Sequence, residues 1–206
     1  MRPHEIELES FRIIDREAGP HDFSPEEWQI VRRMIHTSAD FDYLRTVRFH
    51  PKAISMGLEA LSAGKPIITD THMAAAGIRK AELARFGVAV SCYMDDPGVH
   101  ATARDSGTTR AEAAVDAAVL RMPDGMYVIG NAPTALLRLI ERLRSGEARP
   151  ALIIGLPVGF VNAAESKTAL AALDHPYITN TGRKGGSNVA AAVVNALLLL
   201  ATEKEL

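Results

Sequence analysis

The pattern that most restricts this chain is a unit of apolar strand, glycine turn and helix start, met three times after residue 125. Ala151 to Ile154 are too few and too β-branched for a buried helix. Gly155, Pro157 and Gly159 break the run, and a helical pattern begins near Asn162. Met126 to Ile129 lead likewise through Gly130-Asn131-Ala132-Pro133 into a helix from Thr134. Tyr177 to Thr179 lead through residues 181–187 into a helix from Asn188. Such units predict a parallel sheet with its loops gathered at one edge. In open α/β sheets, ligands bind at that edge, beside the C-terminal ends of the strands.

The first half of the chain supplies the rest of the layers. His4 to Ala18 has helical periodicity and stops at Gly19-Pro20. Ser24-Pro25-Glu26-Glu27 predicts a sharp helix start, with Ser24 as N-cap, Pro25 at the first helical position and Glu27 closing a capping box. That helix fades near residues 37–40, so His36 falls in its last turn. Residues 46–49 form a short extended piece, and 52–63 a helix ended by Gly64. Residues 66–69 and 87–93 read as strands, with a helix from Asp70-Thr71 to Gly77 between them. Asp95-Asp96-Pro97-Gly98 reads as a turn, and residues 108–120 as an alanine-rich helix. The expected fold is one α/β domain over 1–206, a three-layer α/β/α sandwich. Its sheet is mainly parallel, of about five strands, in the flavodoxin-like arrangement common at this size.

Composition narrows the function. The net charge of −2 over 206 residues gives no electrostatic reason to expect nucleic acid or an acidic membrane as partner. Aromatics make up only 5%, which speaks against a base-stacking platform. Residues 1–5 are polar, unlike a signal peptide, and the apolar run 189–201 is too short for a bilayer span. A soluble cytoplasmic protein is expected. Cys92 is the lone cysteine, so no internal disulfide forms, and its apolar neighbours predict a buried, inert thiol. The seven histidines are scattered, without helical metal spacing, so no metal or cofactor is expected.

Two places could carry chemistry. Residues 182–187, Gly182-Arg183-Lys184-Gly185-Gly186-Ser187, lack the P-loop spacing. They still gather backbone N–H groups, a helix N-terminus and two cations, which suits an anion; the plainer alternative is a solvated turn. The second place is the end of the helix from Pro25. Arg33 and His36 share one face there at i, i+3 spacing. Either they answer the helix dipole, or they pair an acid/base histidine with an arginine for an anionic substrate. Ser166, in Ala-Glu-Ser-Lys, does not match a nucleophile elbow.

Several blocks together resemble the precorrin-8X methylmutase family. They are G-N-A-P-T-A-L (130–136), I-G-L-P-V-G-F-V-N-A-A-E-S-K (154–167), G-R-K-G-G-S (182–187), G-T-T-R (107–110) and R-M-I-H-T (33–37) with the following A-D-F-D-Y. The resemblance runs in order from Glu9-Ser10-Phe11 to the last helix. It implies an isomerase of cobalamin biosynthesis that moves a methyl group from C-11 to C-12 of (cobalt-)precorrin-8, giving a hydrogenobyrinate-type corrin. The A-D-F-D-Y wording resembles the cobalt-bearing branch, and any cobalt would belong to the substrate. His36 matches the family's catalytic histidine, proton donor and acceptor; Ser10 and Arg33 match substrate-binding positions, and Arg110 an active-site arginine.

With Arg183, Lys184, Gly185, Gly186 and Ser187, these residues would meet a macrocycle fringed with carboxylates. A non-catalytic tetrapyrrole or polyanion carrier would use the same loops and give His36 no task. A flavodoxin-like FMN protein is a further alternative, which the scarcity of aromatics near the loops disfavours. The helix from Ser187 to Ala201 is apolar on more than one face. A helix apolar all round must be covered, so a homodimer is expected, with burial inside one chain as the competing outcome.

Overall fold

The structure, a computed structural model, describes residues 3–122 and 124–204. Met1 and Arg2, read above as part of a polar N-terminus, and Pro123, in the turn before the strand at 126, lie outside them.

The elements alternate as the sequence pattern demands. Helices α1 (Pro3–Ala18), α2 (Pro25–Ser38) and α3 (Tyr43–Thr46) precede strand β1 (Val47–Phe49) and helix α4 (Ala53–Ser62). Strand β2 (Ile67–Thr69), helices α5 (His72–Gly77) and α6 (Lys80–Arg85) and strand β3 (Val90–Cys92) follow. Helices α7 (Pro97–Ser106) and α8 (Arg110–Arg121) lead to the three late units. Those are β4 (Met126–Ile129) with α9 (Pro133–Arg144), β5 (Leu152–Gly155) with α10 (Ala163–Ala171), and β6 (Tyr177–Asn180) with α11 (Ser187–Lys204).

The strands form one sheet in the order β1-β6-β5-β4-β2-β3. β2 to β6 are mutually parallel, in the spatial order second, first, third, fourth, fifth, which is the flavodoxin-like order. The sheet has six strands, not about five. The extended piece at 46–49 pairs antiparallel with β6, Val47 opposite Asn180 and Phe49 opposite Ile178. Three residues carry no strand signal of their own; β6 supplies the ladder that makes them one. Helices α6 and α7 are also additions. Asp96-Pro97-Gly98 reads as a turn, but Asp96 accepts the Gly98 N–H at 2.8 Å and caps α7, with Pro97 in its first turn.

Both faces of the sheet are covered. Inner residues of α1, α2, α4 and α11 form one core with Ile67, Val128, Ile154 and Ile178. Residues of α8, α9 and α10 form another with Ile68, Tyr127, Ile129 and Ile153. Strands buried on both sides read as continuous apolar runs, as these do. α11 is the centre of the first layer: Val193, Val194, Leu197, Leu198 and Leu200 are each at most 3% exposed. Its cover comes from α2, α4 and α5 of the same chain. The apolar girth of α11 is thus satisfied within the chain and leaves only Leu199 partly exposed. Cys92 is half-buried rather than buried, and burial pushes its thiol pKa up. Among the described residues, no helix is long and apolar enough to cross a membrane.

Because α11 joins the helical layer to the sheet, Leu197→Ala should cost about 2–5 kcal/mol of unfolding free energy, the range for a buried leucine that leaves a cavity. Urea denaturation checks this; a loss below 1 kcal/mol would mean that the layer repacks around the gap.

Candidate active site

His36 is placed by the two ends of its helix. The Ser24 hydroxyl accepts the Glu27 N–H at 3.2 Å, and the Ser24 N–H donates to Oε2 of Glu27 at 2.9 Å, the reciprocal box the sequence announces. Ile30, Val31, Met34 and Ile35 turn inward, which leaves Arg32, Arg33, His36 and Thr37 on the outer side. Ala39 ends the helix in the left-handed region, φ 52°, with its N–H on the Ile35 carbonyl.

α1 lies across this outer side. The Phe11 ring is 5.1 Å from the His36 imidazole, and the Arg33 guanidinium lies 5.0 Å from the same ring. Arg33 donates from Nη1 to Oε1 of Glu7 at 2.8 Å, and Arg79 approaches the same carboxylate at 3.7 Å. Burial works to raise the Glu7 pKa, but the Arg33 hydrogen bond and the surrounding positive charge prevail and lower it. The His36 ring makes no hydrogen bond among the described residues and is exposed. It opens into a cleft of about 200 Å³ whose far wall is the first three turns of α11, with Asn188, Ala191, Ala192 and Asn195. Small alanines leave the room, and Asn195 fixes the rim. It accepts the Arg79 N–H and donates to the Gly77 carbonyl, each at 2.9 Å.

The loops at the C-terminal edge of the sheet are bound to one another. Asp70, at the end of β2, is 8% exposed and accepts three backbone N–H groups: Gly130 at 3.0 Å, Asn131 at 2.7 Å and Ala132 at 2.7 Å. Burial pushes its pKa up, and those donors offset the rise only in part. The Thr71 and Ser187 hydroxyls bond at 2.8 Å, the Gly186 N–H donates to the Leu156 carbonyl at 3.0 Å, and the Gly159 N–H to the Arg183 carbonyl at 3.1 Å. Backbone runs against backbone here. A Cβ on Gly130 would lie 2.6 Å from the Ser187 Cα, and one on Gly185 would collide with the Leu156 carbonyl.

Some expected residues gather at this edge and others do not. Ser187, Gly185 and Gly186 form the turn into α11, beside the His36 cleft. Arg183 is exposed and stacks over Phe160 at 5.5 Å. Lys184 is held by Asp40 and Asp42, both at 2.6 Å, so its charge ties the loop to the segment just after His36. Those carboxylates push its pKa up. Ser10 sits next to Phe11 on α1, its hydroxyl on the Ile6 carbonyl at 2.9 Å. Arg110 begins α8 in the opposite layer. It is exposed and without a hydrogen bond or ion pair among the described residues, and the neighbouring Thr109 reaches Thr134 at the start of α9 at 3.2 Å. It therefore faces the same edge from the other side.

The sequence reading missed Glu7, Asp70, Arg79, Lys167 and Asn195. Asp70 carried a signal as an acid directly after a strand, which equally marks a helix start, and Lys167 closes the block 154–167 that carries the family resemblance. Among the described residues, no three His, Cys, Asp or Glu side chains cluster closely enough to hold a metal ion.

Comparison with known proteins adds to this geometry. The family model for precorrin-8X methylmutase matches residues 5–200. A cobalt-precorrin-8 methylmutase of Priestia megaterium is 47% identical over 201 residues, covering 98% of this chain and 89% of its own. A precorrin-8X methylmutase of Sinorhizobium sp is 43% identical over 190 residues, covering 91% and 90%. A crystal structure of the precorrin-8X methylmutase from Thermus thermophilus superposes with a TM-score of 0.90, at 48% identity, over 98% of this chain and 99% of that one.

Asp70→Asn tests the edge. An amide cannot accept all three N–H groups, so at least one buried donor is left unpaired, at a cost of about 1–3 kcal/mol. Thermal unfolding measures the loss; unchanged stability would mean that water reaches these donors.

Proposed function

The chain belongs to the precorrin-8X methylmutase family, and from that premise we propose how its own residues carry the family's isomerisation. The protein is an isomerase of cobalamin biosynthesis. Its substrate is (cobalt-)precorrin-8, and a methyl group moves from C-11 to C-12. His36 delivers a proton to the conjugated macrocycle and takes it back afterwards, so the reaction is a net rearrangement without redox change. Protonation raises the electron demand at the migration terminus and eases the shift. The observation that carries this reading is an imidazole without a hydrogen bond among the described residues, open to a cleft at the sheet edge and flanked by Arg33 and Arg79.

The substrate's carboxylates need cations. Arg33 reaches them by exchanging or sharing its bond with Glu7, and Arg79 stands beside it. Arg183 and Arg110 carry exposed guanidinium groups at the same edge, one on each layer. Gly185, Gly186 and Ser187 offer backbone at the start of α11, and Ser10 lies one residue from the Phe11 ring that backs His36. Lys184 contributes by holding the loop to Asp40 and Asp42. A pure carrier would have no use for an unpartnered imidazole at the mouth of the cleft, so the enzymatic reading is preferred.

We further propose a single domain acting in the cytoplasm as a homodimer. The support for the dimer is no longer α11. It is the size of the His36 cleft, too small to enclose a macrocycle, together with Phe160 and Val161, 84% and 77% exposed at the same edge. Sedimentation at micromolar concentration should give twice the chain mass; a monomer there would dispose of this part.

His36→Ala should lower turnover of (cobalt-)precorrin-8 by roughly 10²–10⁴-fold, the scale of general acid–base catalysis, with the substrate still bound. The change in conjugation on methyl transfer makes absorption spectroscopy the readout. His36→Asn should fail equally, because an amide donates no proton near neutral pH. A His36→Ala protein with near wild-type turnover would remove His36 from the mechanism.

A further inference from the structure

Lys167 is a cation placed where chains avoid cations. It lies on α10 and is 1% exposed. Its Nζ donates to the backbone carbonyl of Lys184 at 2.6 Å and to Oδ1 of Asn180 at 3.1 Å. No carboxylate pairs with it among the described residues. Desolvation lowers its pKa to about 8. A buried charge without a counter-ion costs folding free energy, and an apolar side chain of similar length would be tolerated or preferred there. The buried Asn180 Oδ1 that the lysine satisfies offsets this only in part, so stability gives little reason for a lysine at this position.

The partner it chooses gives one. The Lys184 carbonyl also accepts Nδ2 of Asn180 at 2.9 Å, so two buried donors converge on one oxygen. Asn180 ends β6, and its Nδ2 further reaches the Thr181 carbonyl at 3.2 Å. From the carbonyl so fixed, the Lys184 side chain runs outward to Asp40 and Asp42, just beyond the helix that carries His36. On either side of it in the chain stand Arg183 and Gly185. Two steps through Lys184, carbonyl on one side and ammonium on the other, thus join the interior of the α10 layer to the far side of the sheet edge.

We infer that Lys167 is a positioning residue for the isomerisation: its buried ammonium fixes the 181–187 loop at the Lys184 carbonyl and so sets Arg183 and the start of α11 against the His36 helix. The inference rests on the reading above that this loop meets the substrate. Lys167 itself never touches the macrocycle. Without it the loop keeps only the Asn180 donor at that oxygen, samples other positions, and binds the substrate's carboxylates less well, while the proton transfer at His36 proceeds once substrate is seated.

Lys167→Met tests this in the full-length protein. The expected result is a folded protein whose melting temperature changes little, since relief of a buried charge offsets the donor that the buried Asn180 Oδ1 loses. Amide hydrogen exchange over residues 181–186 should accelerate by roughly tenfold or more. KM for (cobalt-)precorrin-8 should rise roughly tenfold with kcat within about threefold, the sign of lost binding rather than lost chemistry. Asn180→Ala removes the second donor, and the double variant should raise KM by less than the product of the two single effects, because both act on one oxygen. Unchanged loop exchange in Lys167→Met would overturn the inference, as would a protein that fails to fold or a fall in kcat at constant KM. If the wild-type protein did not convert (cobalt-)precorrin-8, the functional reading would fall by itself, and loop exchange in the variants would still decide whether Lys167 holds the loop.

Discussion

A parallel sheet covered on both faces sends each strand into a loop whose backbone polar groups must find partners where little water reaches. The rest of this molecule depends on how that need is met. Asp70, a buried acceptor, gathers three N–H groups of the β4–α9 loop, and Lys167, a buried donor, holds a carbonyl of the β6–α11 loop. Each takes the backbone groups of opposite polarity that a neighbouring loop leaves over. Between them the glycines allow direct contact of one loop with the next. The edge is consequently one connected surface rather than four separate turns, and a site made of several loops can keep a fixed geometry there.

The second organising relation is that between α2 and α11. The inner face of α2 buries four apolar residues, and α11 lies against it through nearly its whole length. His36 owes its place to this packing: it stands one position beyond the last inward-facing residue, Ile35, where the helix has just turned outward. Glu7 and Phe11 then close the side away from α11. The cleft-facing and core-facing residues are divided along a single helix by its 3.6-residue period alone.

Legibility in the sequence follows the range of the interactions. The three late units were readable because each is local: an apolar run, then Gly or Pro punctuation, then a helix start. The capping box at Ser24 and Glu27 spans four residues and marked the start of α2, and the fading of the helical pattern at 37–40 placed His36 in its last turn. β1 was readable only as extended chain, since its status as a strand comes from β6, some 130 residues later. Pairings decided by tertiary structure were hidden. Arg33 and Lys184 are cations whose carboxylates, Glu7 for one and Asp40 and Asp42 for the other, are remote in the chain, and nothing local foretold them. Lys167 looks like any lysine on a short helix, because burial is a property of what surrounds α10. Asp70 looks like a cap, and the cap role belongs to its neighbour, Thr71, which accepts the Ala74 N–H at 3.1 Å.

The antiparallel edge strand has a consequence for how the molecule comes into being. Without β1 and the three helices before it, β2 to β6 already make a complete flavodoxin-like sheet. The residue proposed to carry the chemistry is on the appended piece, and the surfaces that receive that piece, β6 and α11, lie some 130 residues or more further along the chain. About fifty residues at the start of the chain must wait for some thirty at its end before they can dock. Contacts this distant in sequence close late and slowly. The cleft beside His36 is therefore completed late in folding, when the N-terminal helices and β1 dock on β6 and α11.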